Sequence, residues 1–599
     1  MINIPGLIGW KQPNEGDRQG TIWLSRNLDL TSKRGSLMIS PRLLLNVNTA
    51  DLANLTGSPC AFKFWQSTTP DVWTIAGARL FRSNGEGPQN TFIQDDKGGS
   101  PTSLNTSQSD LELFNGAMYA SGADTALYKI STTTWSSVAA AINNSSGLHQ
   151  MNYFRAQNRL YFVDDNARSI GSINTSDVAA TMGNQYTLQN LVGGGNYEII
   201  SWIKSTSSRI WIGTRNLTGA TSKIYSWDGS QQSGPNETYT VDAAGTLAGV
   251  VKDGTIYVFD TEGRLLKCNG IGGSFFEVAK LPFEGRRTHD IYAGGAVGKM
   301  VHYNGMALVK GRINILVNTS LYDSSDTVLE RVPSGVYEYI PSPDGGMGTL
   351  YHKSSPGLTK SGGTINDYGA VKLDPDSVGA IAEIDMKNAN ITIGSLNGTY
   401  MIGARYYTDA TTLTTGLFYD DSNDTLQKAG YVVTTKIFSQ NITETFQQIV
   451  ARFRQFLNST DKMVIKARTE EDDSTEATIT WVTTTTFTSS VTGFAVGDEV
   501  EVLTGPGAGR IAHITAISGT TFTVDETFTG VTTETARARF QTWKKLGSYS
   551  AQSDKFWKFP IDQSQVGASP WIQFKIWFLC TGRNEIHDFL VSSSANQKI

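Results

Sequence analysis

A chain of 599 residues is too long for one ordinary core; at one domain per roughly 150 residues it holds about four, or else a repeat. Hydrophobic residues make up 39% and charged residues 18%, Gly reaches 60, and 13 Trp, 22 Tyr and 26 Phe supply a packed interior, which excludes a disordered or collagen-like chain. With 50 basic against 55 acidic residues the net charge of -5 is too small for a field that captures nucleic acid or anionic lipid, and no specific nucleic-acid binding is expected.

The chain opens MINIPGLIGW, without the charged region, apolar run and cleavage site of a secretory signal, so synthesis in a cytoplasm is expected. Residues 1–57 read as a strand-containing arm: GTIWLSRNLDLTSKRGSLMISPRL holds two strands around a basic turn and is free to pair with a distant part of the chain.

From 58 to 425 a repeat is visible. A turn-like pair and then a short apolar run recur as PDVWTIAG, FNGAMYASG, QNRLYFVDD, SSRIWIGT and KDGTIYVFD, centred on Trp73, Tyr119, Tyr161, Trp211 and Tyr257, at spacings of 46, 42, 50 and 46. NGMALVKG, GTLYHKS and NGTYMIGA extend the series to Leu308, Tyr351 and Met401, and a Gly lies three residues before the centre at Gly116, Gly254, Gly305, Gly348 and Gly398. A period in the forties is the length of a four-stranded propeller blade, which buries too little alone and must stack around an axis. About seven blades are expected, with ALYKI and SKIYSWDG as the next strands outward.

After 425 the texture changes. TETFQQIVARFRQFLN fits a helix or an alternating strand, and the sequence leaves both open; MVIKARTEEDD, FQTWKKLGSYS, KFWKFP and WIQFKIWFLC are strand-like, the last carrying Gln573 and Lys575 on alternate positions. They predict an antiparallel β-sandwich from 426–473 and 540–599. Residues 474–539 interrupt it with Thr-rich flanks around short alternating strands and GD, GPGAG and SG turns, an inserted small β-barrel of the SH3-like kind; without it VIKARTEEDD runs into FQTWKKLGS as a hairpin. No stretch reaches the roughly 18 apolar residues of a membrane span.

No reaction-specific motif emerges. Cys60, Cys268 and Cys580 lack metal or disulfide spacing and are expected as reduced thiols. Gly505 to Arg510, GPGAGR, lacks the Lys-Ser/Thr of a phosphate loop and reads as a turn. His149, His289, His302, His352, His513 and His587 form no zinc motif. Asp420, Asp421 and Asp424 lack calcium-loop spacing and read as a solvated turn. Trp227, Trp543 and Trp557 fit packing positions better than a stacking surface for sugars or a partner. Catalytic, cofactor and metal residues are therefore all assigned as none.

In layout the chain resembles the β-propeller virion proteins of tailed bacteriophages, of the tail-nozzle, tail-hub and minor tail type. The resemblance rests on TIWLSRNLDLTSKRGSLMISPR, the repeats to about 425, and VIKARTEEDD with FQTWKKLGS and WIQFKIWFLCTG; it is one of organisation, without a short signature. It implies a non-enzymatic structural protein of the virion tail, in a homo-oligomeric ring with other tail proteins, acting in tail assembly and host attachment. The alternatives are a host receptor or glycan-binding adhesin and, more remotely, a propeller hydrolase with a carboxylate pair facing the central channel.

Overall fold

A computed structural model describes residues 2–4, 22–30, 37–45, 59–95, 104–164, 167–281, 300–357, 372–384, 399–453, 461–504, 511–550, 556–579 and 585–595, short stretches inside these spans excepted. The fold is all-β, built from small antiparallel sheets, and no described helix is long and apolar enough to cross a membrane.

The repeat region forms a β-propeller-like cycle. The first sheet is Ala61–Gln66, Pro70–Ala76, Arg79–Ser83 and Phe92–Gln94; the second is Leu111–Phe114, Ala117–Ser121, Ala126–Ile130 and Trp135–Ala141. The third has Met151–Phe154, Arg159–Asp164 and Ser169–Ile173, and the fourth Glu198–Ser205, Ile210–Asn216, Ser222–Trp227 and Glu237–Val241. The fifth runs Thr246–Lys252, Thr255–Asp260, Arg264–Cys268 and Phe275–Lys280, and the sixth Met306–Val309, Arg312–Val317, Gly335–Ile340 and Thr349–Ser354. In the seventh, Ile381–Ile384, Thr399–Tyr407 and Leu413–Asp420 are joined by Leu43–Leu45 from the start of the chain, with short strands at the edges.

Each sheet's first strand lies against the first strand of the next, and Ile381–Ile384 lies against Ala61–Gln66, so the cycle closes. Hydrophobic clusters fill every junction. Trp73 and Leu80 meet Leu111 and Met118; Phe114 and Tyr119 meet Leu160; Tyr161 meets Ile212 and Trp227; Trp211 meets Ile256 and Val258. Tyr257 and Phe259 meet Ile315 and Tyr337, Leu316 meets Tyr400 and Phe418, and Met401 meets Phe62 and Phe81. A lone four-stranded sheet has two apolar faces and nothing to cover them; the cycle covers both.

The sequence repeat is real, but its register slips after Tyr257. Trp73, Tyr119, Tyr161, Trp211 and Tyr257 all lie on second strands, whereas Leu308 lies on the first strand of the sixth sheet and Tyr351 on the fourth strand of that same sheet. Asp253–Gly254 and Lys310–Gly311, with φ of 50° and 75° and of 51° and 73°, form the tight turns between first and second strands. Gly305 and Gly348 are not such turns: the Gly305 N–H donates to the His302 carbonyl and that of Gly348 to Val278 of the neighbouring sheet. Gly398 lies outside the described residues.

Trp202 is fully buried between the fourth and fifth sheets, with its Nε1 donating to Thr246 Oγ1 at 3.1 Å. A Cβ on Gly213 would lie 2.0 Å from that Nε1. Gly213→Ala is therefore expected to lower stability by about 1–3 kcal/mol, read as a drop in the denaturant midpoint with unchanged slope; an unshifted midpoint refutes this packing.

Two six-stranded sheets follow, and the first residues join both. Ile2–Ile4 and Leu37–Ile39 pair with Glu585–Ala595, which also pairs with Glu444–Phe453, so the segment left open between helix and strand is a strand. Ile22–Arg26 pairs with Ala429–Thr434, beside Trp571–Leu579, Lys462–Arg468 and Lys544–Tyr549. One cluster shared by the two sheets holds Phe446, Ile449, Met463, Ile465, Phe574 and Ile576. Strands of the opening segment thus lie in the seventh small sheet and in both larger ones. His352 fastens it, accepting from the Asn27 N–H on Nδ1 at 3.0 Å and contacting the Ser334 carbonyl through Nε2 at 3.0 Å. Burial pushes this imidazole down to about 3.

Between Lys462–Arg468 and Lys544–Tyr549, which pair as a hairpin, a closed six-stranded barrel is inserted, from Thr475–Thr483 through Thr535–Gln541. Trp481, Phe487, Phe522 and Phe540 fill it.

Candidate functional site

Two polar constellations stand out, one at the axis of the cycle and one beneath the barrel. The residues just before the inner strands converge at the axis. Asp110 precedes the second sheet, Gln150 the third, and the segment Met300–Gly305 leads into the sixth. Asn304 joins them: Nδ2 donates to Asp110 Oδ1 at 2.7 Å and to the Cys60 carbonyl at 3.2 Å, while Oδ1 accepts from Gln150 Nε2 at 3.1 Å and Lys204 Nζ at 3.4 Å. Tyr303 reaches across to donate to the Ser109 carbonyl at 2.5 Å. The segment therefore ties the first four sheets to the sixth.

Charges here are matched. Asp110 accepts from the Met151 and Leu111 N–H groups at 3.0 and 2.9 Å, and Lys63 grips both oxygens of Glu112 at 3.0 and 3.1 Å. Burial raises the Asp110 carboxyl against the pull of Lys204 and Lys63, and burial lowers Lys204. His302, its ring 3.8 Å from that of Tyr303 and tilted by 37°, is pushed down to about 3 by burial and by Lys204, so it is neutral at physiological pH. Asp110 and Glu112 are thus held in structural bonds.

The second constellation arises from alternation. On Trp571–Leu579 and Lys462–Arg468, one face enters the shared apolar cluster while Gln573, Lys575, Trp577, Lys466 and Arg468 occupy the other. On the barrel, Val500 and Val502 point inward and Glu499 and Glu501 outward. The two polar faces meet. Glu499, fully buried, binds Lys466, and its Oε1 accepts from Lys575 Nζ at 2.6 Å. Lys575 lies over the rings of Tyr431, Trp577 and Trp543 at 4.9, 5.5 and 5.8 Å, and Arg468 over Trp543 at 4.5 Å. Around this centre Lys544 pairs with Asp498 at 2.5 Å, Lys545 with Asp525 at 3.0 Å, and Arg26 with Glu501 at 3.6 Å. An acidic barrel face is docked on a basic, aromatic sheet.

The residues singled out in the sequence are dispersed. Trp227 and Trp543 are buried, and Trp557 is 38% exposed, its ring 5.2 Å from that of Tyr549. Asp420 ends a strand and is buried near Lys353 and Tyr400, so it is not a solvated turn residue; Asp421 and Asp424 lie outside the described residues. His149 is fully buried, and His513 sits 3.0 Å from Asp525. His289, Cys580, Gly505 to Arg510 and the side chain of His587 lie outside the described residues. Cys60 and Cys268 are buried thiols, and burial raises both. Among the described residues no group of three or more His, Cys, Asp or Glu is placed to hold a metal ion. Sequence reasoning missed the axial residues Asp110, Gln150 and Asn304; a polar residue directly before an inner strand was the available signal.

No protein-family model and no curated protein matches this sequence. Solved structures with some likeness include a catalytically inactive virginiamycin B lyase from Staphylococcus aureus with quinupristin, at 9% identity over 61% of this chain and 96% of that one, with a TM-score of 0.36. A chain of the mitotic checkpoint complex matches at 11% identity over 64% of this chain and 91% of its own, with a TM-score of 0.34. Raptor from Chaetomium thermophilum matches at 10% over 65% of this chain and 29% of that one, also with 0.34. Likenesses at this level assign no activity or partner to this chain.

Proposed function

We propose that this chain is a non-enzymatic structural component of a bacteriophage tail, working in tail assembly and host attachment through contacts with other tail proteins and in a ring of its own copies. In this reading the seven small sheets are the blades of a seven-bladed propeller, the two six-stranded sheets are a β-sandwich, and the barrel is a decoration of the SH3-like kind. The observation that carries it is connectivity: strands within residues 2–45 join the propeller's last sheet and both large sheets, making one tied body in which axial Asp110, Gln150 and Lys204 all bond to Asn304. Such a body offers edges and loops for contact rather than a reaction centre. The resemblance in layout supports the virion setting.

Electron microscopy of the purified chain, and of phage particles labelled with an antibody against it, tests this. Rings of the chain and label on the tail are the expected result. Monomers that never label particles refute it.

A further inference from the structure

The third small sheet differs from its neighbours. Where the second, fourth and fifth sheets add a fourth strand, the described residues within 174–192 form turns, bridged to the sheet at Ile173↔Ala179 and Ile170↔Leu188. An open cleft of about 430 Å³ lies among these turns, and Arg159 lines it.

Arg159 is only 9% exposed. Its Nε donates to Ser172 Oγ at 2.9 Å, its guanidinium lies over the Tyr186 ring at 4.6 Å, and Ser172 Oγ in turn donates to the Tyr186 carbonyl at 2.7 Å. Among the described residues no carboxylate pairs with it, and its Nη groups donate no hydrogen bond. Burial lowers this guanidinium, against the opposing pull of Tyr161 and Tyr186. Tyr186 is held at a φ of 68°, a region an aromatic residue rarely enters, so the stack is kept against backbone strain. A planar fork that pairs with no carboxylate among the described residues and lines a cleft is complementary to a carboxylate.

The rest of the lining narrows the ligand. Exposed Thr181, Asn184 and Gln185 offer groups that donate and accept, as vicinal hydroxyls require, and Val178, 58% exposed, gives an apolar wall. One cation without a second suits a singly charged carboxylate better than a phosphate, and the volume suits one or two sugar rings. We infer that the cleft beside Arg159 binds an acidic sugar, the carboxylate on the guanidinium and the ring hydroxyls on Thr181, Asn184 and Gln185. This goes beyond the structural role and does not rest on it.

The test is calorimetric titration of the full chain with D-glucuronate, with D-glucose and a short polyglutamate peptide as comparisons. Saturable millimolar binding of glucuronate is expected, with glucose at least about tenfold weaker and Arg159→Gln weakening glucuronate by about tenfold or more. Gln185→Ala, at an exposed position, is expected to weaken it a few-fold with an unchanged melting temperature, and decides the matter if Arg159→Gln does not fold. No glucuronate binding by the wild-type chain, glucose bound equally well, or binding untouched by either substitution overturns the inference. So does polyglutamate binding in preference to glucuronate, which points to a protein partner instead.

Discussion

Glu499→Ala is expected to destabilise the docked barrel by about 3–5 kcal/mol, the largest single effect in the molecule. The substitution leaves Lys466 and Lys575 buried side by side, 1% and 6% exposed, with their shared carboxylate gone. Replacing the whole group by apolar residues (Glu499→Leu with Lys466→Met and Lys575→Met) is expected to recover most of the loss, since the cost lies in uncompensated charge rather than in the missing attraction. Denaturant unfolding with Trp543 and Trp577 fluorescence reads both variants. A triple variant as unstable as Glu499→Ala refutes the argument.

The same group sets a pH dependence. Burial alone would raise Glu499, but Lys466 and Lys575 hold it down to about 2, below its ordinary 4.5. Its folded value lies below its unfolded one, so its contribution is fully present above 4.5 and is lost as the pH falls toward 2. Lys466 is lowered to about 8, because burial and the neighbouring Lys575 outweigh Glu499. One carboxylate serves two ammonium groups. A lowered lysine weighs against the folded junction below its folded value, so the junction is expected to strengthen as the pH rises from about 8 to 10.5.

Asn304→Leu is expected to cost about 2–4 kcal/mol. The substitution keeps the branched heavy-atom skeleton but removes the amide that donates to Asp110 and Cys60 and accepts from Gln150 and Lys204. Asp110 keeps its backbone donors, while Gln150 Nε2 is left with the Tyr303 carbonyl at 3.5 Å and the Lys204 ammonium loses its Asn304 acceptor, and unmet buried groups of this kind carry the full cost of desolvation. Thermal unfolding together with limited proteolysis of the propeller-like region measures it. A loss below about 1 kcal/mol means that Asn304 is not the junction described above.

The strands were legible because alternation is a local signal. WIQFKIWFLC predicts a strand with Gln573 and Lys575 on one face, and that face is the one that meets the barrel. The inserted barrel was legible from its Thr-rich flanks and turn residues, and the hairpin that it interrupts pairs as expected. The repeat was read correctly while the aromatic centre fell on the second strand. It slipped at Asn304–Gly305, where an NG pair resembles a hairpin turn but serves the axial segment, and Lys310–Gly311 is the turn instead.

Neither polar constellation could be found this way. Asn304 and Asp110 are 194 residues apart, and Lys466 and Lys575 meet Glu499 from 33 and 76 residues away. The sequence by itself determined the all-β class, the turns and the sidedness of each strand, since these follow from the steric preferences and polarity of neighbouring residues. Only the tertiary structure decided which sheets stack in sequence around the axis, where residues 2–45 are inserted, and which charges share a buried site. Those outcomes depend on pairings between distant segments, whose energy appears only once the apolar faces have found one another and shut water out.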